Sequence, residues 1–352
     1  MSLIGLGGGL PITPNYGWAD SEVTGLLQAQ WGRNPASFQV NQWSKLVPTK
    51  QMQGLFQVLD PTNGSRVVNV NDYQWPQGND LPRGEQDWFT ESTFVAQRYA
   101  DTFMIPIATA EQLATLGVDT VAGHASTHAQ KVMTIRTINA VTAATTSGNW
   151  GGNYAANPAA ANIGAANWTG SSVNNQYIKK TIQAAQLNIM KSSGGAIQAD
   201  EISMLCGPAV AQVIAQAPEL TDFVKQMGLS LDIMRGTGNL VNPYGIPRQL
   251  YGLKNIIVDM TMRTTTQRGA ATTTTSPVMG NSVVFFTNRS DIPGIQGGWD
   301  WSTIQVFSYQ NLEVSTKYDQ FQERVEGKVV DTHAAVVAVP QSGFLIADVL
   351  AG

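Results

Sequence analysis

The amino-acid sequence predicts a mixed α+β fold, with the longest helical pattern in the middle of the chain and strands at its end. Apolar runs of four to six residues between 312 and 346 are separated by turn residues, which is typical of antiparallel strands. Residues 118–141 instead carry apolar or small side chains every three or four positions, which predicts an amphipathic helix. Upstream of the strands come a helix, the Gly194-Gly195 stop, an apolar strand and a helix that begins at Pro208. These three observations place the chain in the α+β class.

The composition favours a protein that associates with copies of itself. Of 352 residues, only 13% are charged, which is about half the usual share, and 34 are glycine. A surface poor in charge is less costly to desolvate against a partner. We therefore favour extensive self-association over a secreted or thermolabile domain with a neutral surface. The formal net charge of −4 leaves no basic footprint for nucleic-acid binding.

Cysteine usage and the lack of long apolar stretches indicate the cellular setting. Cys206 is the single cysteine, which excludes an intrachain disulfide and fits synthesis in a reducing cytosol. It lies in the apolar run 202–206, so we expect a buried structural thiol rather than a nucleophile. No stretch approaches the ~18–20 apolar residues of a membrane span, and the N-terminus lacks the positive region of a signal peptide. We expect a soluble protein made in the cytoplasm, with no membrane partner.

The first 50 residues contain glycine, proline and three tryptophans but little periodicity. A short helix is predicted near residues 20–30. Trp18, Trp31 and Trp43 would be costly to expose in a free tail. We therefore predict an extended arm that lies across another surface.

Residues 51–105 alternate in short strand-like runs around a centre, 73–88, that is dense in turn residues. A long two-stranded hairpin is only marginally stable alone in water, so this one is expected to lean on an adjacent subunit. Its aromatic side chains would supply most of the docking energy, and its charged side chains would set the register. Trp75, Trp88 and Phe89, together with Leu81, are predicted for the first role, and Arg83, Glu85 and Asp87 for the second.

The same segment is acidic, which suggests where it docks. Between residues 51 and 97, six acidic residues against two arginines leave a net charge of −4, equal to that of the whole chain. The segment is either a solvated acidic hairpin or a loop that docks on basic positions of a neighbour. The candidate basic positions are Lys131, Arg136, Lys179 and Lys180.

The middle of the chain predicts a long helix, a loop and a second helix. The long helix is predicted over 109–143, with Thr109 opening a capping box and Gly117 breaking or restarting the helix. A loop rich in asparagine, glycine and alanine follows at 147–172. The second helix is predicted over 175–191, before the Gly-Gly stop.

A compact α/β segment is predicted between residues 197 and 298. Its strands are expected at 202–206, 253–260 and 282–287, with a helix over 208–217 and a threonine-rich loop over 261–276. Farther on, segment 318–329 fits two structures. Apolar residues recur every four positions as in a helix, but Gly327 fits a hinged or bulged strand equally well.

The chain contains no pattern that points to an enzyme, a cofactor or a metal. His124 and His128 stand at i and i+4 and could face one metal ion, but the glutamate of the metalloprotease motif is absent. Packing of both histidines on a helix face is the favoured interpretation. The glycine run 5–9 follows no strand and lacks the Gly-Lys-Ser/Thr of a phosphate loop, and no Gly-x-Ser-x-Gly elbow occurs. We predict no catalytic, cofactor-binding or metal-binding residues.

The order of these elements resembles that of the major capsid proteins of tailed bacteriophages, which have the Hong Kong 97 (HK97) fold. The resemblance lies in the sequential order and is strongest over 179–224 and 312–346. It implies an N-terminal arm (1–50), an extended loop formed by a β-hairpin (51–105), a peripheral domain with a spine helix (106–196), an axial domain (197–310) and returning C-terminal strands of the peripheral domain (311–352).

The resemblance also implies a structural function and a set of partners. Copies of the chain would form hexamers and pentamers of an icosahedral phage head, enclosing double-stranded DNA that the protein contacts weakly and non-specifically. A separate scaffolding protein, a portal and decoration proteins are the other implied partners. The implied location is the virion capsid, after assembly in the host cytoplasm.

The sequence lacks one reactant of the cross-linking reaction that occurs in this family, and two other functions also fit it. In some family members a loop lysine attacks an asparagine of a neighbouring subunit. No lysine occurs here from Gln51 through Gln130, so no such cross-link is expected. The alternatives are an encapsulin-type nanocompartment, which shares the fold but holds protein cargo, and a soluble α/β enzyme.

Overall fold

The computed structural model describes residues 40–59, 89–115, 119–160, 167–169, 177–220, 246–247, 249–266, 272, 274–288 and 302–350. Their helices are α1 (Val40–Trp43), α2 (Ile107–Thr115), α3 (Thr120–Thr145), α4 (Tyr177–Ser192) and α5 (Pro208–Gln216). Their strands are β1 (Lys45–Pro48), β2 (Gln53–Leu59), β3 (Phe89–Val95), β4 (Gln97–Pro106), β5 (Tyr154–Ala155), β6 (Ile202–Cys206), β7 (Ile256–Val258), β8 (Met262–Thr264), β9 (Thr275–Pro277), β10 (Val283–Thr287), β11 (Ile304–Asp319), β12 (Arg324–Val337) and β13 (Phe344–Ile346). Short 3-10 turns lie at Ser147–Asn149, Ala199–Glu201 and Pro340–Ser342.

A four-stranded sheet in the order β1-β11-β12-β4 is built around one long hairpin. Strands β11 and β12 pair antiparallel from Ile304 opposite Val337 to Asp319 opposite Arg324, with register shifts between Ser308 and Glu313. Strand β4 pairs antiparallel with β12, and β1 pairs parallel with β11. Segment 318–329, which fitted either a helix or a strand, therefore forms two strands and the turn between them.

Helix α3 packs on one face of this sheet. Its N-terminus is capped by Asp119, whose carboxylate accepts a hydrogen bond from the Ala122 amide. Its buried side chains include Ala125, Ala129 and Ala140, whose small size lets the helix approach the strands closely. The predicted capping box at Thr109 is wrong, because α2 already begins at Ile107, directly after β4. No helix in the described ranges is long and apolar enough to cross a membrane.

The second, five-stranded sheet has the order β5-β13-β10-β6-β7. Its side chains alternate between two cores, as a strand period of two requires. In β6, Met204 and Cys206 join the core that contains α4 and α5, while Leu205 joins the core that contains α3. Complete burial, together with the negative charge of Asp259, raises the pKa of the Cys206 thiol to about 12. The prediction of a buried thiol is confirmed.

Some residues pack elsewhere than the sequence-based division implied. Helix α4 and strand β13, both assigned to the peripheral domain, pack in the five-stranded sheet's core with α5. Strand β1, assigned to the N-terminal arm, pairs within the four-stranded sheet. The predicted threonine-rich loop over 261–276 contains the short antiparallel pair β8–β9. The β1 pairing joins residues about 260 positions apart, so no local pattern could show it, whereas β8 and β9 are close together in the chain.

Candidate functional site

A two-stranded ribbon lies on the outer face of the four-stranded sheet, opposite α3. Strands β2 and β3 pair antiparallel from Gln53 opposite Val95 to Leu59 opposite Phe89. The Phe94 ring stacks on the Phe307 ring with centroids 4.3 Å apart, and the Phe56 ring lies 5.5 Å from it. Gly54 makes this packing possible, since a Cβ there would lie 2.8 Å from the Phe94 ring. Three aromatic rings therefore anchor the base of the ribbon.

The opposite face of the ribbon is exposed and partly apolar. Leu55 is 65% exposed and Val95 is 58% exposed. The two lie on the same face of the ribbon, because Val95 is paired directly with Gln53, which is two residues from Leu55 on the same strand. Met52, just before β2, is also exposed. Large exposed apolar groups that adjoin one another are typical of interaction surfaces.

A buried polar network joins α3 to the inner face of the same sheet. The Arg136 guanidinium donates from Nε to the Asp331 carboxylate at 2.9 Å and from Nη2 to the other carboxylate oxygen. Nη2 also donates to Asn311 Oδ1 at 2.8 Å. His333 Nδ1 lies 2.8 Å from Asp331 Oδ2, and Asn139 Nδ2 lies 3.1 Å from His333 Nε2. With the Asn139 amide donating, His333 carries its proton on Nδ1 and donates it to the carboxylate.

The network keeps Asp331 ionised in the interior. Burial by itself raises the pKa of this carboxyl group. The hydrogen bonds from His333 and Arg136 and the positive charge of Arg136 outweigh burial and lower the pKa from 3.8 to about 2. The Leu312 amide, at a residue with a φ of 32°, donates a further hydrogen bond of 3.3 Å to Asp331 Oδ1. The carboxylate therefore connects the helix to both strands of the long hairpin.

Comparison with known proteins identifies the fold. A phage-related protein from Bordetella bronchiseptica RB50 matches with a TM-score of 0.62 at 14% identity, over 95% of this chain and 98% of that chain. The capsid of cyanophage P-SCSP1u matches with a TM-score of 0.50 at 10% identity, over 88% of this chain and 87% of that one. The capsid of an empty GTA particle also has a TM-score of 0.50, at 12% identity, over 88% of this chain and 89% of that one. The chain has the HK97-like phage capsid fold. No protein-family model and no curated protein sequence matches it.

Within this capsid fold, two of the residues predicted to contact a neighbour lie inside the subunit. Trp43 is 1% exposed, in the same core as α3, and Arg136 is 2% exposed in the network with Asp331. Neither side chain is available to another copy, so the intersubunit predictions for both are wrong. The sequence did not reveal that these two side chains are buried, because the residues that bury them are far away along the chain. Arg136 and Asp331 are 195 residues apart.

The remaining predicted contact residues fall into two groups. Lys131, Lys179 and Lys180 lie at helix positions where their ammonium groups reach solvent or aromatic faces. Lys131 Nζ is 3.7 Å from Asp101, and Lys179 and Lys180 Nζ lie 6.0 and 5.6 Å from the ring centroids of Tyr251 and Tyr177. The others lie outside the described residues, except that the backbone of Phe89 is described and its side chain is not. They are Trp18, Trp31, Trp75, Arg83, Glu85, Asp87, Trp88 and Phe89.

The two histidines of α3 are engaged in packing. The Phe103 ring of β4 stacks against both His124 and His128, and it covers Gly327, where no Cβ would fit. His128 Nδ1 also lies 2.6 Å from Asp101 Oδ2. Burial raises the pKa of Asp101, but the hydrogen bond and charge of His128, the Thr102 amide and the charge of Lys131 together outweigh it, and the net shift is downward. Among the described residues, no group of three or more His, Cys, Asp or Glu side chains could hold a metal ion.

Proposed function

We propose that this chain is a major capsid protein, whose copies assemble as hexamers and pentamers into an icosahedral phage head that encloses double-stranded DNA. The observation that carries the proposal is the capsid fold itself, because the chain matches two capsid structures, each over 88% of its length. The low charge content of the sequence supports it, because a shell subunit must desolvate much of its surface against other copies. We propose no catalytic activity.

The exposed face of the β2–β3 ribbon is the part that we propose contacts a neighbouring copy. The ribbon leads into the acidic segment of the sequence, with six acidic residues and two arginines between 51 and 97. Lys131, Lys179 and Lys180 of a neighbour are the proposed basic partners, and Arg136 is not among them. An exposed ion pair contributes only about 0–1 kcal/mol, whereas burying a leucine or valine contributes about 1.5–3 kcal/mol. Apolar burial would therefore supply the affinity, and charge would set the register.

Other partners follow from the proposed role. A separate scaffolding protein, a portal and decoration proteins would act with the shell, which assembles in the host cytoplasm and becomes part of the virion. The packaged DNA would be contacted weakly, because the chain carries a net charge of −4 and has no basic surplus. An encapsulin-type shell is the second candidate, since the same fold would then enclose protein cargo.

Electron microscopy and sedimentation velocity of the purified protein test this proposal. We expect closed shells containing hexamers and pentamers, formed by the protein alone or after addition of a crowding agent. Nuclease treatment and extraction of shells from infected cells then identify the contents. Protected DNA supports the phage head, and a specific protein cargo supports the nanocompartment. A protein that stays monomeric under all these conditions refutes both.

Matched variants test the ribbon. Leu55→Asp and Val95→Asp each place a charge on the exposed face, and we expect both to block shell formation without lowering subunit stability. Leu187→Asp is the control, because Leu187 is 47% exposed on a different element, α4. If the ribbon variants assemble as well as the control, the ribbon does not form the contact.

A further inference from the structure

The turn between β11 and β12 presents one phenylalanine completely to solvent. Phe321 is 100% exposed, the largest value among the exposed large apolar residues. The two strands of the hairpin are paired up to Asp319 opposite Arg324, so Phe321 lies in the turn at the very end of the hairpin. A fully exposed aromatic ring contributes nothing to the stability of its own subunit. The exposure of a phenylalanine here is therefore explained by a contact with another molecule rather than by packing within the subunit.

The turn holds Phe321 in a defined position. The Asp319 carboxylate accepts hydrogen bonds from the amides of Phe321 and Gln322, at 3.1 and 3.3 Å. The carbonyl of Glu323, which has a positive φ of 43°, accepts a hydrogen bond of 2.9 Å from the Ile107 amide at the start of α2. The turn is thus fixed internally and tied to the neighbouring chain segment. An aromatic side chain on a fixed turn loses little conformational freedom when it binds.

A groove of about 430 Å³ lies beside the turn, on the outer face of the four-stranded sheet. Two cross-strand rows form it, Met104–Glu326–Lys317 and Thr102–Lys328–Ser315. Met104 is 60% exposed and supplies an apolar surface. Farther along the same face, the aromatic rings of the β2–β3 ribbon cover the sheet at Phe307. Among the described residues, the outer face is therefore covered at one end and open at the end nearest the turn.

The charges of the turn and the groove are complementary. The turn residues 319–323 contain two acids and no basic residue. In the groove, Arg324 pairs with Glu326 and lies 3.8 Å from Asp319, so these charges are compensated within the subunit. The exposed Lys317 and Lys328 have no ion pair within the described residues. Glu323 of one copy could pair with either lysine of another.

We propose that Phe321 of one copy inserts beside Met104 in the groove of a second copy, with Glu323 next to Lys317 and Lys328. The inference rests on the proposed self-association, because its partner is another copy of the chain. The inserted residue and the groove lie at the same end of the hairpin, within a few residues of each other. Because the two sides of the contact lie close together on each subunit, copies that repeat it would meet near one axis, and they form a reciprocal pair or a small ring when the rotation between them closes.

Cysteine cross-linking tests the contact directly. Phe321→Cys and Met104→Cys subunits are purified separately, mixed before assembly and treated with a mild oxidant or a short bismaleimide. We expect a covalent dimer only in the mixture, and a discrete closed oligomer from the double variant, whose size gives the symmetry. Phe321→Cys mixed with Leu187→Cys is the control and should stay monomeric on denaturing gels. The native Cys206 is fully buried and does not interfere.

Substitutions test the energetics. Phe321→Ala should weaken the association by roughly ten- to a hundredfold, while Phe321→Leu should retain more of it. Both should leave the thermal midpoint of the unassembled subunit unchanged, because the ring touches nothing in its own subunit. Glu323→Lys should weaken association, and Lys328→Glu in the same chain should restore part of it. If Phe321→Ala subunits associate with one another at the same protein concentrations as wild-type subunits do, the proposal is wrong.

The outcomes separate this contact from the shell proposal. Shells without the Phe321–Met104 cross-link overturn only the contact proposed in this section. Cross-linked small oligomers without shells support the contact and argue against the capsid function. If neither shells nor cross-links form, both proposals are wrong.

Discussion

The buried ion pair between Arg136 and Asp331 leads to a sharp prediction about subunit stability. The two side chains are only 2% and 0% exposed, and they join α3 to β12. Asp331→Asn keeps the size of the side chain but removes its charge. Arg136 is then left buried with an uncompensated positive charge and with only neutral acceptors, which are the Asn311 amide oxygen and the oxygen of the new amide. Removing one partner of a buried ion pair typically costs about 3–5 kcal/mol.

The lowered pKa of Asp331 gives an independent measure of the same interaction. A pKa of 3.8 in the unfolded chain and about 2 in the folded one corresponds to roughly 2–3 kcal/mol in favour of the ionised form. The substitution should cost more than protonation does. Both groups keep one carbonyl oxygen as an acceptor, but the hydroxyl of a protonated carboxyl group can still accept a hydrogen bond, whereas the N–H₂ group of the amide faces the donors of Arg136 and His333 and cannot accept one. We therefore expect Asp331→Asn to lower the free energy of unfolding by about 3 kcal/mol or more.

Urea unfolding of unassembled subunits, followed by tryptophan fluorescence, measures this loss. Asp200→Asn is the matched control, because Asp200 is exposed and should change the free energy of unfolding by less than about 0.5 kcal/mol. Arg136→Met combined with Asp331→Leu replaces the pair with apolar side chains and should recover most of the loss. If Asp331→Asn is as stable as Asp200→Asn, the network does not stabilise the subunit.

Three further predictions concern acid, the N-terminal segment and covalent chemistry. Because folding lowers the pKa of Asp331, the unfolded chain binds protons more tightly than the folded one. The contribution of Asp331 to the free energy of unfolding is therefore present above about pH 4 and should be lost as the pH falls toward 2. Wild type should show this loss, and Asp331→Asn should not. Removing residues 1–39 should leave a folded subunit that forms no stable shells by microscopy. Removing 1–45 also takes away the buried Trp43 and should lower the free energy of unfolding by a further 3–5 kcal/mol or so. Boiled, reduced particles should give one gel band near 37.8 kDa, because the segment from Gln51 through Gln130 contains no lysine; a ladder of multimers would contradict this.

Elements with a strong local signal were predicted within a few residues. Strand β6 was predicted at the observed residues, and α4 begins and ends within two residues of its predicted limits. Both have an apolar period that fits one type of structure, and the Gly-Gly stop or Pro208 marks a boundary nearby. The helix over 109–143 was predicted in the right region, with a break or restart at Gly117, and the structure divides it into α2 and α3, the second of which is capped by Asp119.

The candidate site was predicted less well than the fold. The base of the ribbon was expected from alternating residues at 51–105, and β2 pairs with β3 as a hairpin should. Nothing in the local pattern distinguished Leu55, which faces solvent, from Phe56, which stacks on Phe307. That choice depends on which face of the ribbon meets the sheet, and β11 lies some 250 residues farther along the chain.

The sequence by itself determined where the helices and strands with a strong local period lie, such as α4 and β6, that Cys206 is buried, and that the loop has no lysine with which to form a cross-link. These properties depend on residue type and on spacing within about ten residues. Only the tertiary structure decided that Arg136 and Trp43 belong to the interior and that Phe321 does not. A charged arginine on a helix has the same local pattern whether it faces water or a carboxylate. Its location is set by Asp331, because a buried charge is tolerated only where an opposite charge and hydrogen bonds meet it.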